Sequence, residues 1–210
     1  MKDANKKLLA IGLEIIEQLQ NLLSRKQNPI VVAIDGGSGA GKSTLALIIK
    51  DELDVALIPL DDFFSANIPD SEWDKFTVEE KLKYVFDWKQ LRNHAVIPLL
   101  NGQPAKWHAF DFQSGLHADG TYGMEKECKK LESANVILIE GAYSASPELA
   151  DLIDFAILVD VPIEERHVRL EAREDHNFLE KWHQRWDKVE TYYFNQVRPK
   201  NSFDFVVKLK

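Results

Sequence analysis

Between Ile34 and Lys50 the chain reads IDGGSGAGKSTLALIIK, four glycines in six positions followed by an apolar run. Glycine gives up the most backbone freedom on folding, so such a density implies that something lies against the main chain. The spacing Gly36-x-x-x-x-Gly41-Lys42-Ser43 matches a phosphate-binding loop in full. In such a loop the N–H groups of Gly36, Gly37, Ser38, Gly39, Ala40, Gly41, Lys42, Ser43 and Thr44 converge on phosphate oxygens, at the positive end of the helix that follows. Lys42 then reaches the outer phosphates and the Ser43 hydroxyl ligates Mg²⁺. A nucleoside triphosphate is the expected ligand.

Three carboxylates extend this chemistry. Asp61 and Asp62 directly follow the apolar run VALIPL, where ligands collect at the carboxyl end of a strand. One of them can orient an acceptor hydroxyl and take its proton during phosphoryl transfer; the plainer alternative is that they cap the next turn. Glu140 closes VILIEG and is a candidate to hold Mg²⁺ directly or through water, with a strand-end cap as its alternative. Neither an Asn-Lys-x-Asp guanine-selecting segment nor a Leu-Ser-Gly-Gly-Gln transporter segment occurs, which argues against a GTPase and a transporter ATPase.

The elements that must position these groups alternate. IVVAID, VALIPL, ANVILIEG, DFAILVDV and FDFVVKL read as five buried strands, with helices over about 42–53, from Val78, through DWKQLRNHAVIPLLNG, over 163–173 and over 177–197. Thr77 with Glu80 is a capping box, Pro98 and Gly102 mark a helix end, 68–73 reads as loop, and 103–123 as hairpin or irregular chain. The prediction is an α/β fold with three layers, a five-stranded parallel sheet covered on both faces. Residues 1–28 form an amphipathic helix packed on a single domain spanning 29–210, since Leu8, Ile11, Ile15, Leu19 and Leu22 keep helical spacing. Glu14 breaks the apolar run too early for a signal peptide, and no stretch is long enough for a membrane span. At 210 residues and a formal charge of −8, broad binding to nucleic acid or anionic membrane is not expected. A single cysteine, Cys128, precludes an internal disulfide and fits the cytoplasm.

The ordered set GGSGAGKST, LDDFF, FDW, VILIEG, DVPIEERHVRLEARED and FDFVV resembles the uridine kinase family, and more broadly the uridine kinase and phosphoribulokinase group, from about Ile30 to Val207. The resemblance implies a phosphate-loop fold and transfer of the ATP γ-phosphate to a hydroxyl of a small metabolite, a nucleoside first. It assigns Asp61, rather than its neighbour Asp62, as the base, and Glu140 as the acid near Mg²⁺. It also implies that Arg169 and Arg173 belong to a lid of about 163–185 that closes over the phosphates. Their plainer reading is as surface partners of Glu165, Glu171 or Glu174.

The acceptor side departs from that pattern. In KWHAFDFQSG the triplet is Phe110-Asp111-Phe112, and Gln113, Ser114 and Gly115 supply no histidine after it; Leu170 stands where a second arginine is expected. HNFLEKW replaces an expected Glu-Arg-Gly-Arg run. Asp87 and Asp111 remain candidate acceptor-binding groups. Trp107, Phe110 and Phe112 are a candidate aromatic wall, with core packing as the alternative. Trp182, Trp186 and Tyr193 share one stripe and read as packing, and His167, His176 and His183 read as exposed or lid residues rather than metal ligands. Two further readings stay open: a related kinase of a non-nucleoside alcohol such as pantothenate or a sugar phosphate, and a regulator that binds ATP without transferring it. A homo-oligomer is compatible with either.

Overall fold

A computed structural model describes residues 2–26, 29–173 and 175–208. Its centre is a five-stranded parallel sheet in the order β2-β5-β1-β6-β7, with β1 Ile30–Asp35, β2 Val55–Pro59, β5 Val136–Glu140, β6 Phe155–Asp160 and β7 Phe205–Lys208. β1 is buried along its whole length, as a central strand covered on both faces must be. Val31 points into one apolar cluster and Ile30, Val32 and Ile34 into another. The second cluster is closed by α1 (Lys2–Leu23) and α2 (Lys42–Glu52), through Ile15, Leu19, Leu45 and Ile49. Leu8, Ile15 and Leu19 of α1 are buried as the helical spacing requires, and Ile11 and Leu22 pack beside them.

The opposite face is covered by the short pieces α3 (Asp70–Trp73), α4 (Val78–Tyr84), α5 (Trp88–Gln90) and α6 (Ile97–Leu100) and by the longer α8 (His176–Tyr192), with α7 (Ile163–Glu171) preceding α8. The Thr77–Glu80 capping box forms in both directions at the head of α4. α3 falls where the sequence reads as loop; its one turn is fixed by Trp73, which is buried among Phe64, Phe76 and Trp186. Pro98 does not end its helix. A π-helical stretch over Leu91–Val96 precedes it and Pro98 opens the next α segment, where its missing N–H is not needed; Gly102, at φ +70°, lies past the end.

The expected irregular region contains β3 (Ala105–Phe110), but its antiparallel partner β4 (Met124–Leu131) lies beyond it. β4 reads MEKECKKL and escapes hydrophobic patterning because this two-stranded sheet leaves none of it fully buried. Among the described residues no helix is long and apolar enough to cross a membrane.

Where β1 ends, Asp35 is fully buried and accepts four hydrogen bonds. The donors are the N–H groups of Gly36 (2.7 Å), Tyr143 (2.8 Å) and Ala145 (3.0 Å) and the Tyr193 hydroxyl (2.6 Å). Burial pushes this carboxyl above its ordinary value, and the Tyr193 hydroxyl and the N–H donors pull it back. Tyr193→Phe removes one charge-assisted bond without changing side-chain shape, and is expected to lower unfolding free energy by about 1.5–3 kcal/mol. Urea denaturation checks this as a lower midpoint with an unchanged slope.

Candidate functional site

The glycine loop runs from β1 into α2 and forms one wall of a cavity of about 570 Å³. Gly41, the residue before α2, has φ +96°, a left-handed conformation that glycine adopts without strain. No side chain caps this helix, so its first N–H groups face outward at the positive end of the dipole. Lys42 is buried and its ammonium donates back to the Gly37 carbonyl (3.1 Å). Ser43 Oγ donates to Glu140 Oε2 at 3.2 Å, pairing a hydroxyl and a carboxylate that suit a hard cation. An uncapped helix start, a curled glycine backbone and this all-oxygen pair fit a polyphosphate with Mg²⁺.

The loop is held from behind by a group the sequence reading did not single out. Arg166 of α7 donates to the Ser38 carbonyl (3.0 Å) and the Val161 carbonyl (3.2 Å), and its guanidinium lies 2.8 Å from Glu190 of α8. Glu190 in turn accepts the Ser38 N–H (3.0 Å). Both side chains are nearly buried. A side chain at Gly37 would collide with both charged ends, which explains glycine there. Sequence spacing places Arg166, Arg169 and Arg173 at helical intervals of three and four, but the pairing of Arg166 with Glu190 depends on how α7 meets α8.

The two adjacent aspartates separate cleanly. Asp62 is buried; it accepts the Trp107 indole N–H (2.8 Å) and pairs with Lys129 of β4 (2.8 Å). Asp61 instead faces the cavity beside Lys42, Ser43 and Glu140. It is open to water yet enclosed by protein on most sides, and that desolvation pushes its carboxyl above the ordinary range. Lys42 opposes the rise, Asp62 adds to it and Arg173 opposes it. Glu140 is raised by burial as well, with Lys42 opposing, Asp61 reinforcing and the Ser43 hydroxyl opposing.

Arg169 and Arg173 both line the cavity. Arg169 rests on the loop through the Gly39 and Ala40 carbonyls (3.3 Å each), with Glu165 a loose partner at 3.6 Å. Glu174 lies outside the described residues. Asp87 is not brought to the cavity: it caps α5 by accepting the Gln90 N–H. Asp111 closes its own turn on the N–H groups of Gln113 and Ser114, and those bonds hold its carboxyl below the usual range. Trp107 is buried against Phe63, and Phe110 against Phe64 and Tyr122, so the expected wall retains only Phe112. Its other members are Phe64, Val85, Phe86, Trp182 and Trp186. The two tryptophans read as packing thus do both: Trp186 is 4% exposed, sits in the core and still lines the cavity.

A parallel sheet with a phosphate-binding loop at the end of its central strand and a cluster of acids across a cavity defines a phosphate-loop kinase fold. The sequence model of the phosphoribulokinase/uridine kinase family matches residues 31–177, and the chain belongs to that family. It is 27% identical over 172 residues to the uridine kinase of Halobacterium salinarum, covering 80% of this chain and 71% of that one. Two solved structures share the fold at lower identity. One, described as a possible uridine kinase of Bacillus stearothermophilus, has TM-score 0.62 at 19% identity, covering 92% of this chain and 99% of that one. The other, described as a candidate fructose transport system kinase of Silicibacter sp., has TM-score 0.64 at 21% identity, covering 95% and 98%.

Because Glu190 is buried against Arg166, removing the guanidinium strands a carboxylate. Arg166→Ala is expected to cost about 3–5 kcal/mol in chemical denaturation. Nucleotide affinity, measured by calorimetry on the fraction that folds, should fall with it.

Proposed function

We propose that the chain is an ATP- and Mg²⁺-dependent kinase that transfers the γ-phosphoryl group to a hydroxyl of a small metabolite, with nucleosides as leading acceptors. The observation that carries this reading is the division of labour at 61–62: Asp62 is consumed by Trp107 and Lys129, while Asp61 is left facing the cavity. A protein that only binds nucleotide has no use for a second, raised carboxylate opposite its phosphate loop.

In this reading the loop amides and Lys42 hold the polyphosphate, and Ser43 with Glu140 would hold Mg²⁺. The cation would supply positive charge against that gathering on the transferring group. Asp61 Oδ orients the acceptor hydroxyl and receives its proton as the oxygen attacks phosphorus. Its raised pKa makes it a better base than an ordinary aspartate. Arg169 and Arg173, on a lid formed by about 163–185, add charge from the other side, and closure of that segment excludes competing water.

A second reading, a kinase of a non-nucleoside alcohol, is favoured by one observation. Asp87 and Asp111, the acids expected to grip a polar acceptor, are both turned onto their own backbone. The acceptor wall of Phe64, Phe86, Phe112, Trp182 and Trp186 suits an alcohol with a flat or apolar body.

ADP release measured across a panel of nucleosides, sugar phosphates and other alcohols tests both readings; silence across the panel with tight ATP binding would refute them in favour of a regulator. Lys42→Ala should abolish transfer. Asp61→Asn should reduce turnover by about 10²–10⁴-fold with ATP affinity nearly unchanged. Asp62→Asn should chiefly lower stability. In the wild type, kcat/KM should fall as acid protonates Asp61, with its limb above the ordinary carboxylate range because the shift is upward. Asp61→Asn should remove that limb.

A further inference from the structure

We propose that His167 of α7 and His183 and Asp187 of α8 form a binding site for one Zn²⁺-type divalent cation that ties the two helices together. The three side chains bring donor atoms to within 4.8 Å of one another, and none of the three lines the nucleotide cavity. His167 Nε2 lies 3.3 Å from Asp187 Oδ2, and His183 Nδ1 lies 3.2 Å from Asp187 Oδ1. Four-coordinate Zn²⁺ with N and O ligands at about 2.0–2.2 Å sets its donors about 3.3–3.5 Å apart; each imidazole nitrogen is already at that spacing from one Asp187 oxygen, and small side-chain rotations would close a set whose donors lie within 4.8 Å.

The imidazole rings lie with centroids 3.7 Å apart, where two imidazolium charges would repel. His167 Nε2 is buried and makes no hydrogen bond, although Asp187 Oδ2 lies 3.3 Å away. A cation gives that nitrogen a partner and draws all three lone pairs to one point. The side chains are 21–30% exposed, which leaves an entry path and room for a water as fourth ligand. Two imidazoles and one carboxylate select Zn²⁺ and its neighbours over Mg²⁺, in contrast to the all-oxygen pair at Ser43 and Glu140. His183 and Asp187, four apart, share one face of α8, and His167 directly follows Arg166, which grips the phosphate loop. The bound ion would therefore hold α7 and α8 in fixed relation, whatever the acceptor of the kinase.

The test uses the full chain without an affinity tag, in millimolar Mg²⁺ and without nucleotide, titrated with Zn²⁺ against a chromophoric chelator. One equivalent should bind, and His167→Gln and His183→Gln should each weaken it about tenfold or more, given that even outer partners of a metal carry that much. His94→Gln should leave it unchanged. Circular dichroism checks that the variants fold. Should they not, the Co²⁺ form of the wild type should show two shifted imidazole N–H resonances. Absence of stoichiometric binding, unaltered binding in the double variant H167Q/H183Q, or no shifted imidazole signals would each overturn the site.

Discussion

A single buried carboxylate organises this molecule. Asp35 ends the central strand, and its four donors come from the start of the phosphate loop, from the segment after β5 and from the end of the α8 region. Those three segments adjoin Lys42, Glu140 and Glu190, so one buried carboxylate helps set the relative placement of groups far apart in sequence. Burial of that charge is unfavourable alone and is offset only while every donor stays in place. The arrangement therefore resists gradual distortion. The flanking registers agree with it, Ile34 beside Glu140 and Pro59 beside Glu140, which brings Asp61 and Glu140 to the same edge of the sheet.

What sequence made legible is what local chemistry determines. The five core strands, the phosphate loop, the capping box at Thr77 and the stripe of α1 each follow from neighbours a few residues apart. β4 did not, because its residues are mostly charged and, among the described residues, its one strand neighbour is β3. Trp73 holds a turn of helix through burial that depends on Trp186, remote in the chain, as well as on the nearer Phe64 and Phe76.

The site divides along the same line. Contiguous motifs located Lys42, Ser43, Asp61 and Glu140 around one cavity. Which aromatics face it was not readable, because that depends on how β3 meets the 3₁₀ turn at Leu60–Phe63. Trp107 goes inward to satisfy Asp62, and Phe112 is left outside. Spacing alone could not distinguish a tryptophan that packs from one that packs and also borders a cavity, and Trp186 is both. Arg166 and Glu190 required knowledge that α7 and α8 meet at the loop.

The loop joining β3 to β4, residues 111–123, stabilises its own bends through Asp111 and Asp119 and meets the body through Ala66 and Asp70. Phe112 is its contribution to the cavity rim. Length and composition can drift there without loosening the grip on polyphosphate, because none of its bonds passes through Asp35, Arg166 or Lys42. The scaffold thus separates the phosphate loop from an exchangeable rim, and the rim's chemistry can be rewritten by changing a dozen or so surface residues.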